Sequence, residues 1–265
     1  MMSVKVFQVD AFTDEPFCGN PAAVCLLSEL RSAEWMQKVA GEMNLPETAF
    51  LRERDDGFDL RWFTPKAEID LCGHATLASA HVLWEVRLVP RGRRIEFQTR
   101  SGALSASCSE GLIILDFPAI EEEAARAPDE LIEALGVTPV YVGKNRFDYL
   151  VEVGSEREVR KAKPDLGRLA EIDVRGVILT ARSATEDFDF VSRFFAPGIG
   201  IGEDPVTGSA HCCLGPYWRE RLGKDTFVAY QASERGGVVH VTVQGDRVLL
   251  GGRAVTVLEG EIFLS

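Results

Sequence analysis

One pattern occurs twice in this chain. Arg61-Trp62-Phe63-Thr64-Pro65 reads Arg, aromatic, Phe, any residue, Pro. Arg193-Phe194-Phe195-Ala196-Pro197 reads the same way 132 residues later, half the length of a 265-residue sequence. Each copy leads to a glycine that opens a run of small residues: Cys72-Gly73-His74-Ala75 after the first, Thr207-Gly208-Ser209-Ala210 after the second. The step from Pro to Gly is 8 residues in the first copy and 11 in the second, so the second carries a three-residue insertion. Self-similarity at a fixed offset marks a duplicated unit. The chain is therefore expected to fold as two similar domains, each presenting a strand, a loop and a glycine-led helix.

The local pattern agrees. Strands are expected near Val4–Phe12, Ala22–Leu27, Phe58–Thr64, Ile95–Gln98 and Leu112–Phe117 in the first half, and near Val140–Val142, Tyr149–Val153, Val177–Thr180 and Phe188–Phe195 in the second. Three more, Val238–Val243, Val248–Leu250 and Ala254–Leu258, close the chain. Ser32–Met43 has helical spacing, with Ser32 as N-cap. Gly73–Glu85 and Asp129–Leu135 read as further helices. A last helix begins at Gly208, and Pro216 should kink or end it. Many strands with few helices imply an α+β fold rather than a doubly wound sheet. The acidic, Ala-rich stretch 119–128 lacks an apolar period and is the expected linker. The domains are then 1–118 and 119–253, with 254–265 returning to the first.

Composition narrows the function. Apolar residues at 46% allow a substantial core, and the formal net charge of −12 disfavours nucleic acid as a partner. A small anion remains compatible, because backbone amides act locally. No apolar run is long enough to span a membrane. The first strand pattern starts at Val4 with no signal-peptide architecture, and the six cysteines form no CxxC pair, so a cytoplasmic protein with reduced thiols is expected.

Three places carry candidate chemistry. The starts of the two glycine-led helices expose unpaired N–H groups that suit a carboxylate or phosphate, with Gly73 and Gly208 allowing close approach and Ser209 adding a hydroxyl. The plainer alternative is that both glycines only shape turns. Glu47 lies in Asn44-Leu45-Pro46-Glu47-Thr48-Ala49-Phe50, among apolar neighbours. Desolvation there would raise a carboxyl pKa towards neutrality, where it both takes and gives a proton. An exposed loop glutamate is the commoner outcome for such a position. Asp204 precedes the second helix start, as a simple capping neighbour or a functional group. His74, at the first helix start, is an acid, base or donor near neutral pH, or else a structural histidine. No metal site is expected: in Cys72-Gly73-His74 and His211-Cys212-Cys213, side chains adjacent on a helix point about 100° apart.

Four blocks carry a resemblance: VFQVDAFTDEPFCGNPAAV, NLPETAFL, FTPKAEIDLCGHATLASAHVL and FFAPGIGIGEDPVTGSAH. In this order they closely resemble the phenazine-biosynthesis PhzF-like family. The resemblance implies the diaminopimelate-epimerase fold, two similar α+β domains with a curved sheet around a central helix and a cleft between them. It implies that Glu47 transfers a proton, that His74 and Asp204 orient the substrate or assist, and that Gly73, Gly208, Ser209 and Cys72 lie at its carboxylate. It implies isomerisation like that of dihydro-hydroxyanthranilate, with no cofactor, in a homodimer. Two rival readings stay open. One is an amino-acid epimerase using Cys72, for which Thr207 stands where a second thiol is needed. The other is a non-catalytic small-acid binder.

Overall fold

The structure, a computed structural model, describes residues 3–263. The chain divides into two units, Met1–Asp116 with Gly251–Ser265, and Phe117–Leu250. The first unit contains β1 (Ser3–Ala11), β2 (Asn20–Leu27), α1 (Ala33–Met43), β3 (Glu47–Arg54), β4 (Gly57–Phe63), β5 (Glu68–Ile69), α2 (Gly73–Glu85), β6 (Ile95–Thr99), β7 (Gly102–Ser109) and β8 (Leu112–Pro118). The second contains β9 (Glu123–Ala124), α3 (Asp129–Leu135), β10 (Pro139–Lys144), β11 (Asp148–Val153), α4 (Glu156–Lys161), α5 (Leu166–Leu169), β12 (Gly176–Arg182), β13 (Phe190–Ala196), β14 (Ile201–Asp204), α6 (Gly208–Leu222), β15 (Thr226–Gln231), β16 (Gly237–Gln244) and β17 (Arg247–Gly252). The chain then returns to the first unit as β18 (Ala254–Phe263), antiparallel to β1.

The two units repeat one topology. In the first, β1 and β2 pair antiparallel, β2 and β3 parallel across α1, β3 and β4 antiparallel, β4 and β6 parallel across α2, and β6 and β7 antiparallel. In the second, the same sequence of pairings runs through β10, β11, β12, β13, β15 and β16, with α4 and α5 in the first crossover and α6 in the second. Register aligns the copies residue by residue. Thr48 faces Phe63 as Val177 faces Phe195, and Trp62 faces Ile69 as Phe194 faces Asp204. The repeated arginine makes the same fork in both. Arg61 grips Glu68 with bonds of 2.7 and 2.8 Å, and Arg193 grips Glu203 with bonds of 2.7 and 2.8 Å. A bidentate guanidinium–carboxylate pair fixes both position and orientation, so each fork ties β4 to β5 or β13 to β14. The three-residue insertion falls between the partners of the second fork and forms the 3₁₀ turn Pro197–Ile199.

Sequence explains the placement of the helices. Ser32 caps α1 by accepting from the Trp35 amide at 3.2 Å, and Asn44 ends it in the left-handed region at φ 50°. Met36, Val39 and Ala40 form its buried face. α2 is different: from His74 to Ala80 and from Val82 to Trp84 every residue is buried, the pattern of a helix enclosed by its sheet. α6 is enclosed in the same way from Ala210 to Gly215, and Gly215 lets it rest on β16, where an added Cβ would meet Val241 at 3.0 Å.

Two expectations are corrected. Pro216 does not end α6, which runs on to Leu222. Proline denies a hydrogen bond to the carbonyl four residues back, and that carbonyl, on Cys212, instead accepts from the Ile120 amide at 3.1 Å. The segment 119–128 is also no free linker. Its Ala119 amide bonds the Asp246 carbonyl at 2.8 Å, Glu123 and Ala124 pair with β10, and Glu122 accepts from the Tyr141 hydroxyl at 2.7 Å.

Candidate active site

In the first unit the fold gathers Glu47, Cys72 and His74. Glu47 is the first residue of β3 and is only 7% exposed, so the exposed-loop alternative is excluded. The parallel pairing of β2 with β3 sets it beside Ala22, within the core. His74 is the second residue of α2 and is 5% exposed. Its Nε2 lies 3.0 Å from Glu47 Oε2. The contact is one of charge and distance: Oε2 is buried with no aligned hydrogen-bond donor among the described residues. Nδ1 of His74 lies 3.1 Å from the side-chain amide nitrogen of Asn20. Cys72 Sγ lies 3.5 Å from Nδ1.

The electrostatics of this trio are coupled. Burial disfavours the charged form of His74, but Cys72 and Glu47 outweigh it, and the ring is raised well above its ordinary 6.5. Burial, with Glu47 adding to it, pushes the Cys72 thiol up. The ligand atoms of Glu47, Cys72 and His74 all lie within 4.8 Å of one another, near enough to meet on one soft metal ion. The sequence reading set Cys72 and His74 aside as ligands by helical angle; Cys72 is the N-cap and lies outside the helical turn, so that argument does not hold for this pair.

The second unit places Asp204, Gly208 and Ser209 around the start of α6. The N-cap is Thr207, whose own side chain makes no capping bond. Instead Asp204 Oδ2 accepts from the Thr207 hydroxyl at 2.6 Å. Gln231, fully buried at the end of β15, holds the turn: its Oε1 takes the Thr207 amide at 2.8 Å and its Nε2 donates to the Asp204 carbonyl at 2.7 Å. Ser209 Oγ accepts from Arg175 Nη2 at 3.2 Å. Neither helix has an acidic residue in its first turn, and neither N-cap side chain, Cys72 or Thr207, makes a capping bond.

Internal register compares the halves directly. Cys72 corresponds to Thr207, His74 to Ser209, and Ile69 to Asp204. Glu47 sits opposite Ala22, as Gly176 sits opposite Asp148, so the counterpart of Glu47 is a glycine. Sequence reading missed Asn20, Arg175, Asp148 and Gln231. Asn20 alone had a signal, its place between Gly19 and Pro21 inside a recognised block.

A family profile described as phenazine biosynthesis-like protein matches residues 9–260. The chain belongs to the PhzF-like family. This PhzF-like chain is 54% identical to a protein of Halalkalibacterium halodurans described as an uncharacterized isomerase, over 100% of both chains. It is 49% identical to another so described from Pseudomonas aeruginosa, again over 100% of both. Its fold matches a crystal structure of a PhzF-family protein from Enterococcus faecalis with TM-score 0.95 and 43% identity, covering 99% of this chain and 100% of that one. The fold extends to a structure described as a probable proline racemase from Agrobacterium radiobacter, with TM-score 0.67 and 12% identity, covering 99% and 93%.

Proposed function

We propose that this PhzF-like protein is a cofactor-independent isomerase that moves a proton between carbons of a small carboxylate-bearing substrate, similar to dihydro-hydroxyanthranilate. Glu47 carries the proton. The observation behind this reading is the buried carboxyl of Glu47, whose Oε2 lies 3.0 Å from Nε2 of His74. A carboxyl group beside an imidazole at that distance can take a substrate proton and give it back. In the forward step Glu47 takes a proton from one carbon as the electron pair shifts through the conjugated system. In the second it returns that proton to another carbon, so charge and atoms balance without an external reagent. His74, fixed by Asn20, orients Glu47. Gly73, at the start of the helix that carries His74, is assigned to a polar group of the substrate.

The asymmetry between the halves supports one base over two. A racemase of the two-thiol kind needs an ionisable group from each half. Here Thr207 and Gly176 stand at the counterparts of Cys72 and Glu47, and neither ionises near pH 7. The test is proton NMR in D2O with trans-2,3-dihydro-3-hydroxyanthranilate. The wild type should convert it with solvent deuterium entering the product, and Glu47→Gln should lower kcat by about a thousandfold or more with the fold retained. Full turnover by Glu47→Gln refutes the assignment.

A further inference from the structure

Arg175 reaches the first turn of α6 by a hydrogen bond to Ser209, and it belongs to none of the four blocks that carry the family resemblance. It precedes β12 and is held on three sides. Its Nε donates to Asp148 Oδ1 at 2.8 Å and its Nη2 to Asp148 Oδ2. The guanidinium carbon lies 4.8 Å from the Phe147 ring centre and 5.7 Å from that of Phe194. Asp148 is fully buried, and its amide, with that of Phe147, is fixed by Asn145 Oδ1 at 2.9 and 2.8 Å. The second proton on Nη2 points to Ser209 Oγ at 3.2 Å.

We infer that Arg175 is a positioning residue that fixes Ser209 as a hydrogen-bond donor to a substrate carboxylate. The argument follows from the valence of a hydroxyl. A serine has one O–H to give and two lone pairs to fill. With a lone pair of Ser209 taken by a guanidinium that cannot deprotonate, the O–H is left for an acceptor, and the positive charge makes it a stronger donor. Ser209 is only partly buried, so a ligand reaches it, and the adjoining N–H groups of the helix start are donors as well. The Arg175–Asp148 pair is net neutral. The subsite thus selects by the placement of donors, preferring a carboxylate to the same ring without one.

The inference rests on the proposed carboxylate substrate, and the test separates the two. Affinity is measured by calorimetric titration for 3-hydroxyanthranilate and for 2-aminophenol, the same ring lacking the carboxylate. Wild type should bind the acid at least about tenfold more tightly. R175K keeps a cation against Asp148 but loses the fixed fork, and S209A loses the hydroxyl. Each should lose about tenfold for the acid and little for 2-aminophenol, and the double variant should lose about the same tenfold rather than about a hundredfold, because one acts through the other. Should R175K not fold, R175Q with D148N, which removes both charges together, takes its place. No discrimination by wild type, equal losses for both probes, or an additive double variant overturns the inference. Turnover of the dihydro substrate is followed in parallel. Discriminating binding without turnover sinks the isomerase reading and leaves Arg175 its role; turnover with a KM indifferent to Arg175 does the reverse.

Discussion

Lowering the pH from 7.5 to 4.5 should destabilise this protein through His211, a residue on α6 whose own chemistry is entirely structural. Its ring is fully buried, stacked at 6.1 Å on Phe190, and its Nδ1 gives its proton to the Thr207 carbonyl at 2.8 Å. Nε2 has no hydrogen-bond partner among the described residues. A second proton there would place a charge in an apolar site. Burial outweighs the carbonyl bond and holds the ring down at about 4, against an ordinary 6.5. In the window between those values the unfolded chain binds a proton that the folded one refuses, so stability rises with pH and is lost as pH falls. The full gap corresponds to about 3 kcal/mol, most of which is reached by pH 4.5. The assay is urea unfolding at pH 7.5, 6.5, 5.5 and 4.5 of wild type and His211→Gln, which keeps a neutral donor for Thr207. Carboxylates act on both proteins alike, so the difference between the two curves isolates the ring. That difference should move by about 2–3 kcal/mol in favour of the variant on acidification. Parallel curves refute the buried neutral ring.

His74 should act in the opposite sense: with its pKa raised, its contribution is present below about 6.5 and is lost as pH rises through the folded value, and His74→Gln should abolish that alkaline loss in the same measurement. Gly176→Ala should destabilise by about 1–3 kcal/mol in urea unfolding, since an added Cβ meets Phe194 Cζ at 2.4 Å and the Phe195 carbonyl at 3.0 Å; an unchanged midpoint would mean the ring moves freely. Zinc at tens of micromolar should inhibit turnover by meeting Glu47, Cys72 and His74, chelation should restore it, and Cys72→Ser should be about tenfold less sensitive. Equal sensitivity of the variant would place zinc elsewhere.

Much of the architecture was legible because it was written twice. The repeated Arg-aromatic-Phe-x-Pro strand announced two like units, and glycine and apolar composition bounded Gly73–Glu85 and Asp129–Leu135 as helices. Pro216 could have ended α6 and did not: a distant amide, that of Ile120, made good the lost bond. Glu47 and His74 stood out in the sequence, but their proximity did not, since it depends on β2 pairing parallel to β3 and on α2 being enclosed. The contacts of Asn20 and Arg175 were illegible for the same reason. Asn20 meets His74 across 54 residues, and Arg175 meets Asp148 across 27, at distances set only by strand register.

The glycine opposite Asp148 bears on the history of the chain as well as its stability. If the two halves descend from one ancestral copy, they have diverged at their working positions while the arginine forks stayed alike. Gly176 makes that divergence hard to undo. The Phe194 ring now occupies the space in which a side chain would begin, so restoring a glutamate there takes a second change that first shrinks the ring. Each change alone is harmful, the first by collision and the second by opening a void. The second half is thereby held behind a ratchet, free to refine how it grips a ligand and barred by single steps from becoming a second base.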